Sequence, residues 1–181
     1  MIILCGPSAC GKTEIAKQLS SRYHINKVVT NTTREMRVKE VNHVDYNFIS
    51  KDEFLKLKEQ GKFVETTLYN NNYYGCLKSE VSDNKVVILE PEGVTNFLKL
   101  NKPIMVVYLF ADEKIRIDRM RYRNDKEEDI KKRVDNDRIT FSNDNIPFYH
   151  YLINTNNITI EEACKKIIDL YQNFLNTSGK I

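Results

Sequence analysis

Apolar positions along the chain come in two kinds of run that alternate. Met1 to Leu4, Val86 to Leu89 and Ile104 to Phe110 are continuous apolar stretches, and Leu152-Ile153 is a shorter one. Such runs suit strands buried on both faces of a parallel sheet. Around them, apolar residues fall at helical spacing. Ile15, Ala16 and Leu19 form one such group, and a second helix is expected from about Gly93 to Leu100. A third is opened by Asp112 and runs through Arg121, and a fourth runs from about Glu127 to Phe141 with Ile130, Val134 and Ile139 as a thin apolar face. The capping box Thr159 to Glu162 opens a long amphipathic helix carrying Ala163, Ile167, Ile168, Leu170, Phe174 and Leu175. Strands alternating with helices predict an α/β domain on a five-stranded, mostly parallel core sheet, with ligands at the C-terminal ends of the strands.

Between these runs the pattern changes. Lys27 to Thr30 reads as a second core strand, followed by a polar loop from Asn31 to Asp45 that carries Arg34 and Arg37. Tyr46 to Ile49 is a short strand, and Ser50-Lys51-Asp52-Glu53 is a capping box for a helix that stops at Gly61. Phe63 to Leu68, a turn at Asn70 to Asn72, and Tyr73-Tyr74-Gly75 then predict a small antiparallel subregion.

Composition narrows the chemistry. A chain of 181 residues suffices for one domain with a substantial core. A formal charge of +3 is too small to imply nucleic-acid binding, so anionic small molecules are the easier partners. Cys5, Cys10, Cys76 and Cys164 form no C-x-x-C pair, and His24, His43 and His150 show no ligand spacing. Reduced thiols and no structural metal are expected. The opening MIILCGPS lacks a basic leader and no apolar run reaches spanning length, so a cytoplasmic protein without membrane association is expected.

Directly after the first apolar run, Gly6-Pro7-Ser8-Ala9-Cys10-Gly11-Lys12-Thr13 fits the phosphate-loop template G-x-x-x-x-G-K-[ST] at every fixed position. Gly6 and Gly11 allow the backbone to wrap phosphate oxygens with its N–H groups. Lys12 is placed to bridge the β- and γ-phosphates, Thr13 to ligate Mg²⁺, and the following helix to aim its positive end at the same anion. Cys10, at that helix terminus, reads as a small filler or a thiol of lowered pKa.

A phosphate loop identifies a nucleotide but not an acceptor. Thr30-Asn31-Thr32-Thr33-Arg34-Glu35-Met36-Arg37, Val44-Asp45-Tyr46-Asn47-Phe48, Phe63-Val64-Glu65 and Asn72-Tyr73-Tyr74-Gly75 follow in that order. Together with the loop they resemble the guanylate kinase family, over nearly the whole chain. The resemblance implies a P-loop kinase with a core (1–30, 84–118 and 140–181), a monophosphate-binding subregion (31–83) and an arginine-bearing lid (about 119–139), closing over ATP and GMP or dGMP as a monomer or homodimer. In the family pattern Arg34, Arg37, Tyr46 and Tyr74 match the groups that hold the acceptor phosphate, Thr30 stands where a serine helps, and Glu65 matches the carboxylate that reads guanine. Arg119, Arg123 and Arg133 match lid arginines, Glu90 falls where an aspartate lies near the Mg²⁺ site, and Asn154 lies near the adenine-contacting segment.

Three departures concentrate around the acceptor base. Cys76 replaces a serine or threonine that would touch the base, which predicts reduced base affinity. Glu90-Pro91-Glu92-Gly93 replaces an Asp-Ile-Asp-x-Gln-Gly type segment, with Glu92 still a candidate base contact. The stretch between Cys76 and Lys85 is short, so its helix is expected to have lost about a turn. The competing readings are a kinase of the same fold acting on another monophosphate or a sugar phosphate, and a guanylate-kinase-like protein-binding module. An ionised Glu65 offers only acceptors, which matches the N1–H and N2–H₂ donors of guanine and not the edge of adenine.

Overall fold

The first apolar run forms β1 (Ile2–Cys5), and the helix after the phosphate loop is α1 (Lys12–Tyr23). A short strand β2 (Asn26–Lys27) precedes β3 (Asn31–Thr32), β4 (Asn47–Phe48), α2 (Lys51–Glu59), β5 (Phe63–Tyr69) and β6 (Asn72–Leu77). The chain returns through a 3-10 turn at Lys78–Glu80 to β7 (Lys85–Ile88), α3 (Pro91–Leu98) and β8 (Met105–Phe110). Then come α4 (Glu113–Tyr122), α5 (Glu127–Thr140), β9 (Tyr151–Asn154) and α6 (Ile160–Ser178). This is a computed structural model, and it describes residues 1–36, 40–69 and 71–178.

The core sheet has five strands in the order β2-β7-β1-β8-β9. Every pairing in it is parallel, so the expected mostly parallel sheet is wholly so. Successive side chains of β1 point to opposite faces. Ile2 and Leu4 pack with Ile15, Leu19 and Ile167 of α1 and α6, whereas Ile3 and Cys5 pack with Val94 and Phe97 of α3. Burial on both faces is the physical reason the strand reads as an unbroken apolar run. At the start of α6 the capping box is complete: the Thr159 hydroxyl accepts from the Glu162 N–H, and the Glu162 carboxylate accepts from the Thr159 N–H.

The second sheet has the order β4-β3-β6-β5, with β3 antiparallel to β6 and parallel to β4. Its small core centres on Phe54 of α2, fully buried and stacked on Phe63 at 4.4 Å and Tyr73 at 5.3 Å. Ser50 caps α2 by accepting the Glu53 N–H, as its capping box predicts.

Several boundaries differ from the sequence expectation. The strand expected at Lys27 to Thr30 is reduced to Asn26–Lys27, and Asn31–Thr32, expected as loop, is a strand buried between β4 and β6. A polar two-residue strand carries no period to detect. The helix expected from Gly93 begins at Pro91 with Glu90 as its N-cap, because proline is well suited to the first helical position. The apolar face of α5 consists of Ile130 and Val134, while Ile139 is 71% exposed. Where the short segment after Cys76 was expected to have lost about a turn of helix, only the 3-10 turn stands.

Candidate active site

The phosphate loop leaves β1 through Gly6, whose φ of 145° puts it in the left-handed region. A Cβ there would collide with the Leu109 carbonyl oxygen of β8, so glycine is required by the close approach as well as by φ. Lys12 folds back over the loop and donates from Nζ to the carbonyl oxygens of Gly6 and, at 2.7 Å, Pro7. Cys10 is fully buried in the core beneath the loop, with its Sγ 3.8 Å from the Lys12 Nζ. Its place is that of a small filler.

Two cavities flank Lys12, which lines both. The first, of about 630 Å³, lies over Ala9, Gly11 and Thr13 and is walled by Ile115, Arg119, Tyr122, Arg123 and Ile160 from α4 and the start of α6. Its walls are largely apolar, as suits a nucleobase. The second, of about 480 Å³, lies between the loop and the second sheet and is lined by Gly6, Ser8, Thr30, Tyr46, Glu65, Tyr74, Glu90 and Glu92.

The second cavity is bordered by both hydrogen-bond donors and carboxylates, with Lys12 and Asp137 also in its lining. At one end the Tyr46 and Tyr74 rings meet edge to face with centroids 6.0 Å apart. Beside them the Arg34 guanidinium lies 5.6 Å from the Tyr46 ring and 5.5 Å from Phe48, held by Glu40 at 2.7 Å. Arg37 lies outside the described residues. At the other end Glu65 of β5 stands opposite Cys76 of β6 and accepts the Cys76 N–H and the Thr67 hydroxyl. Burial pushes the Glu65 carboxyl above the ordinary carboxylate range, and the nearby Glu92 and Glu90 add to the shift. One end thus offers donors and the other acceptors.

Cys76 is not among the residues that line the second cavity. Its thiol is fully buried in the core cluster with Met1 and Ile3 and pushed up to about 12, first by burial and then by the neighbouring Glu65 carboxylate, while its backbone N–H bonds Glu65. Cys76 pairs directly with Glu65 across the strands, so the two side chains share a face of the sheet and the thiol is buried beside the carboxylate. Asn154 is turned aside, its Oδ1 accepting the Asn156 N–H while its neighbour Thr155 bonds the Cys10 carbonyl. Asn154 lines neither of these two cavities.

The arginines expected in a lid have distinct partners. Arg119 donates to the Ala9 carbonyl and to the Thr155 hydroxyl and carbonyl, bracing the phosphate loop against the β9–α6 junction. Arg123 and Arg133 both donate to Asp125 at 3.2 Å.

Two residues in this region escape a motif reading. Arg116 and Asp137, each 5% exposed, form a 2.6 Å ion pair that also holds Ser8. A signal did exist. Ile130, Val134 and Asp137 fall at i, i+4 and i+7 on α5, so a carboxylate occupies a core-facing place in the apolar stripe.

The guanylate kinase family model matches residues 1–173. The guanylate kinase of Mycoplasma genitalium is 33% identical over an alignment that covers 78% of this chain and 63% of that protein, so the match spans less than two thirds of that relative. That of Fusobacterium nucleatum is 31% identical over an alignment that covers 96% of each chain. Among solved structures, the guanylate kinase from Anaplasma phagocytophilum aligns with a TM-score of 0.66 at 21% identity, covering 96% of this chain and 84% of that one, a likeness of fold.

Proposed function

The chain belongs to the guanylate kinase family, and from that premise we propose that it transfers the γ-phosphoryl group of ATP directly to GMP or dGMP. The observation that carries this reading is the position of Lys12 between an apolar-walled cavity on one side and a cavity with opposed donor and acceptor ends on the other. Two polyanions held on either side of one cation are set for in-line transfer, which depends on positioning and charge stabilisation rather than on a protein nucleophile.

The donor triphosphate lies along the loop N–H groups and the N-terminus of α1, with its base against Ile115, Tyr122 and Ile160. The acceptor phosphate is held by Arg34, Arg37, Tyr46 and Tyr74 with Thr30, and its base turns towards Glu65 and Glu92. An oxygen of the acceptor phosphate attacks the γ-phosphorus as the bond to the β–γ bridging oxygen breaks, leaving ADP. Lys12 gives up the Gly6 and Pro7 carbonyls to follow the transferring group, and Arg119, Arg123 and Arg133 add charge from the lid side.

The Thr13 hydroxyl and the Glu90 carboxylate are the residues that would hold Mg²⁺. No group of three or more acidic, histidine or cysteine ligands exists among the described residues. A sparse, all-oxygen donor set fits an ion held mainly by nucleotide phosphates. When bound, Mg²⁺ supplies positive charge to the donor phosphate oxygens. No helix among the described residues is long and apolar enough to cross a membrane. All four cysteines are free thiols, the usual state in a reducing compartment such as the cytoplasm.

Initial rates with ATP and GMP varied against each other test the reading. The expected result is equimolar ADP and GDP with intersecting double-reciprocal lines, as a ternary complex requires. Parallel lines would point to a phosphorylated enzyme, and absence of GDP would overturn the assignment.

A further inference from the structure

One group of side chains that neither substrate contact requires is buried and fully paired across three elements. Arg116 on α4 and Asp137 on α5 meet at 2.6 Å. Asp137 accepts the Ser8 N–H at 2.9 Å on one oxygen and the Ser8 hydroxyl at 3.0 Å on the other. Arg116 donates to the Ser8 carbonyl and, through Nε, to the Ala111 carbonyl, both at 3.2 Å. The amide, carbonyl and hydroxyl of one phosphate-loop residue are therefore all engaged by a single ion pair.

Net stability is a poor reason for such a pair, since desolvation offsets much of the attraction. Its position supplies a better one. Arg133 precedes Asp137 by four residues and so lies on the same side of α5, one turn away. Between them Val134 packs with Met120, Ile130 and Ala9 of the phosphate loop. On the exposed flank Arg138 donates twice to Glu113, at 3.0 and 2.6 Å, clasping α5 to α4. The C-terminal half of α5 is thus fixed to the phosphate loop, whereas the Arg133 guanidinium meets only the exposed flank through Asp125.

We propose that Asp137, braced by Arg116, is a positioning residue: it docks α5 on Ser8 and so sets where Arg133 stands relative to the transferring phosphoryl group. The proposal rests on the kinase reading above. Asp137 also lines the cavity in which the acceptor sits. An unpaired carboxylate there would repel the incoming phosphates, so Arg116 has a second task, keeping the docking group neutral as a pair.

The two tasks separate kinetically. Arg116→Met leaves an unpaired Asp137 facing the cavity, and the KM for GMP rises together with a fall in kcat. The double variant Arg116→Met/Asp137→Leu removes the repulsion and the docking at once. Its KM values return to within about threefold of wild type while kcat stays down about 10- to 100-fold, the scale of a small misplacement of a catalytic group. Asp137→Asn, isosteric and with one acceptor fewer, lowers kcat about tenfold with KM unchanged. Exchange of the Ser8 amide, followed by NMR without nucleotides, is slow in wild type and at least about tenfold faster in the double variant. Wild-type GDP formation measured alongside reports on the kinase reading, and the amide reports on the docking independently. Wild-type kcat in both Asp137→Asn and a folded double variant, or a Ser8 amide that exchanges equally fast in wild type, would overturn the proposal.

Discussion

Glu65 concentrates the question of base recognition in one carboxyl group. Its pKa lies above the ordinary carboxylate range, first because of burial and then because of Glu92 and Glu90. Guanine requires the ionised form, whose oxygens accept from N1–H and N2–H₂. As pH falls through the raised pKa, Glu65 gains a proton, loses acceptor capacity and holds guanine less well, so kcat/KM for GMP should decline on the acid side. The acceptor phosphate also titrates near pH 6, and Glu65→Gln separates the two, since the limb due to Glu65 vanishes in the variant and the phosphate limb remains. An identical acid limb in both proteins would remove Glu65 from the account. Cys76 makes the opposite case. Its thiol is fully buried and lines neither cavity, so Cys76→Ser leaves the KM for GMP nearly unchanged and destabilises the fold by about 1–3 kcal/mol by putting a more strongly hydrated hydroxyl in place of a thiol. Tighter GMP binding in that variant, measured by calorimetry, would return the side chain to the site.

At the scale of elements, α2 and the second sheet form the acceptor side. Phe54 ties them together through its stacking on Phe63 and Tyr73, and a Cβ added at Gly75 would meet Phe63 at 2.9 Å and Phe54 at 3.1 Å. Phe54→Ala should cost about 3–5 kcal/mol of local packing. Because that loss falls on the strands carrying Glu65 and Tyr74, the KM for GMP should rise severalfold with the KM for ATP nearly unchanged. Equal changes in both would mean that the two sides are not independent. The same elements show what a sequence discloses. Runs buried on both faces, as in β1 and β8, and capping boxes at Ser50 and Thr159 were legible because each is a local pattern. β3 was not, since two polar residues become buried only through partners distant in the chain. The phosphate loop announced itself by spacing, and Arg34, Glu65 and Tyr74 by family resemblance. Arg116 and Asp137 had only an oddity of stripe, and their pairing depends on how two helices pack.

Over the whole molecule, the segment proposed as a lid rests on a small apolar core of its own. Met120, Ile130 and Val134 with Ala9 and Ile117 form its small core, and Tyr122 at its end is 90% exposed. Few buried contacts predict easy local opening. With a bisubstrate analogue bound, hydrogen exchange should slow around residues 119–133 as Arg123 and Arg133 leave Asp125 for phosphate. Residues 134–140, already docked through Asp137, should change little. Uniform protection over both stretches, or none, would contradict a lid that moves about a fixed base. On the proposed reaction, closure of that kind would join the two cavities at Lys12 and exclude water, favouring transfer to GMP over hydrolysis. The most direct measurement is kcat/KM for a panel of monophosphates with ATP and Mg²⁺. A well-formed pair of hydrogen bonds to the base edge is worth about 1–3 kcal/mol, so GMP or dGMP should exceed AMP by roughly one to two orders of magnitude. AMP, CMP or dTMP as the best acceptor would contradict the account.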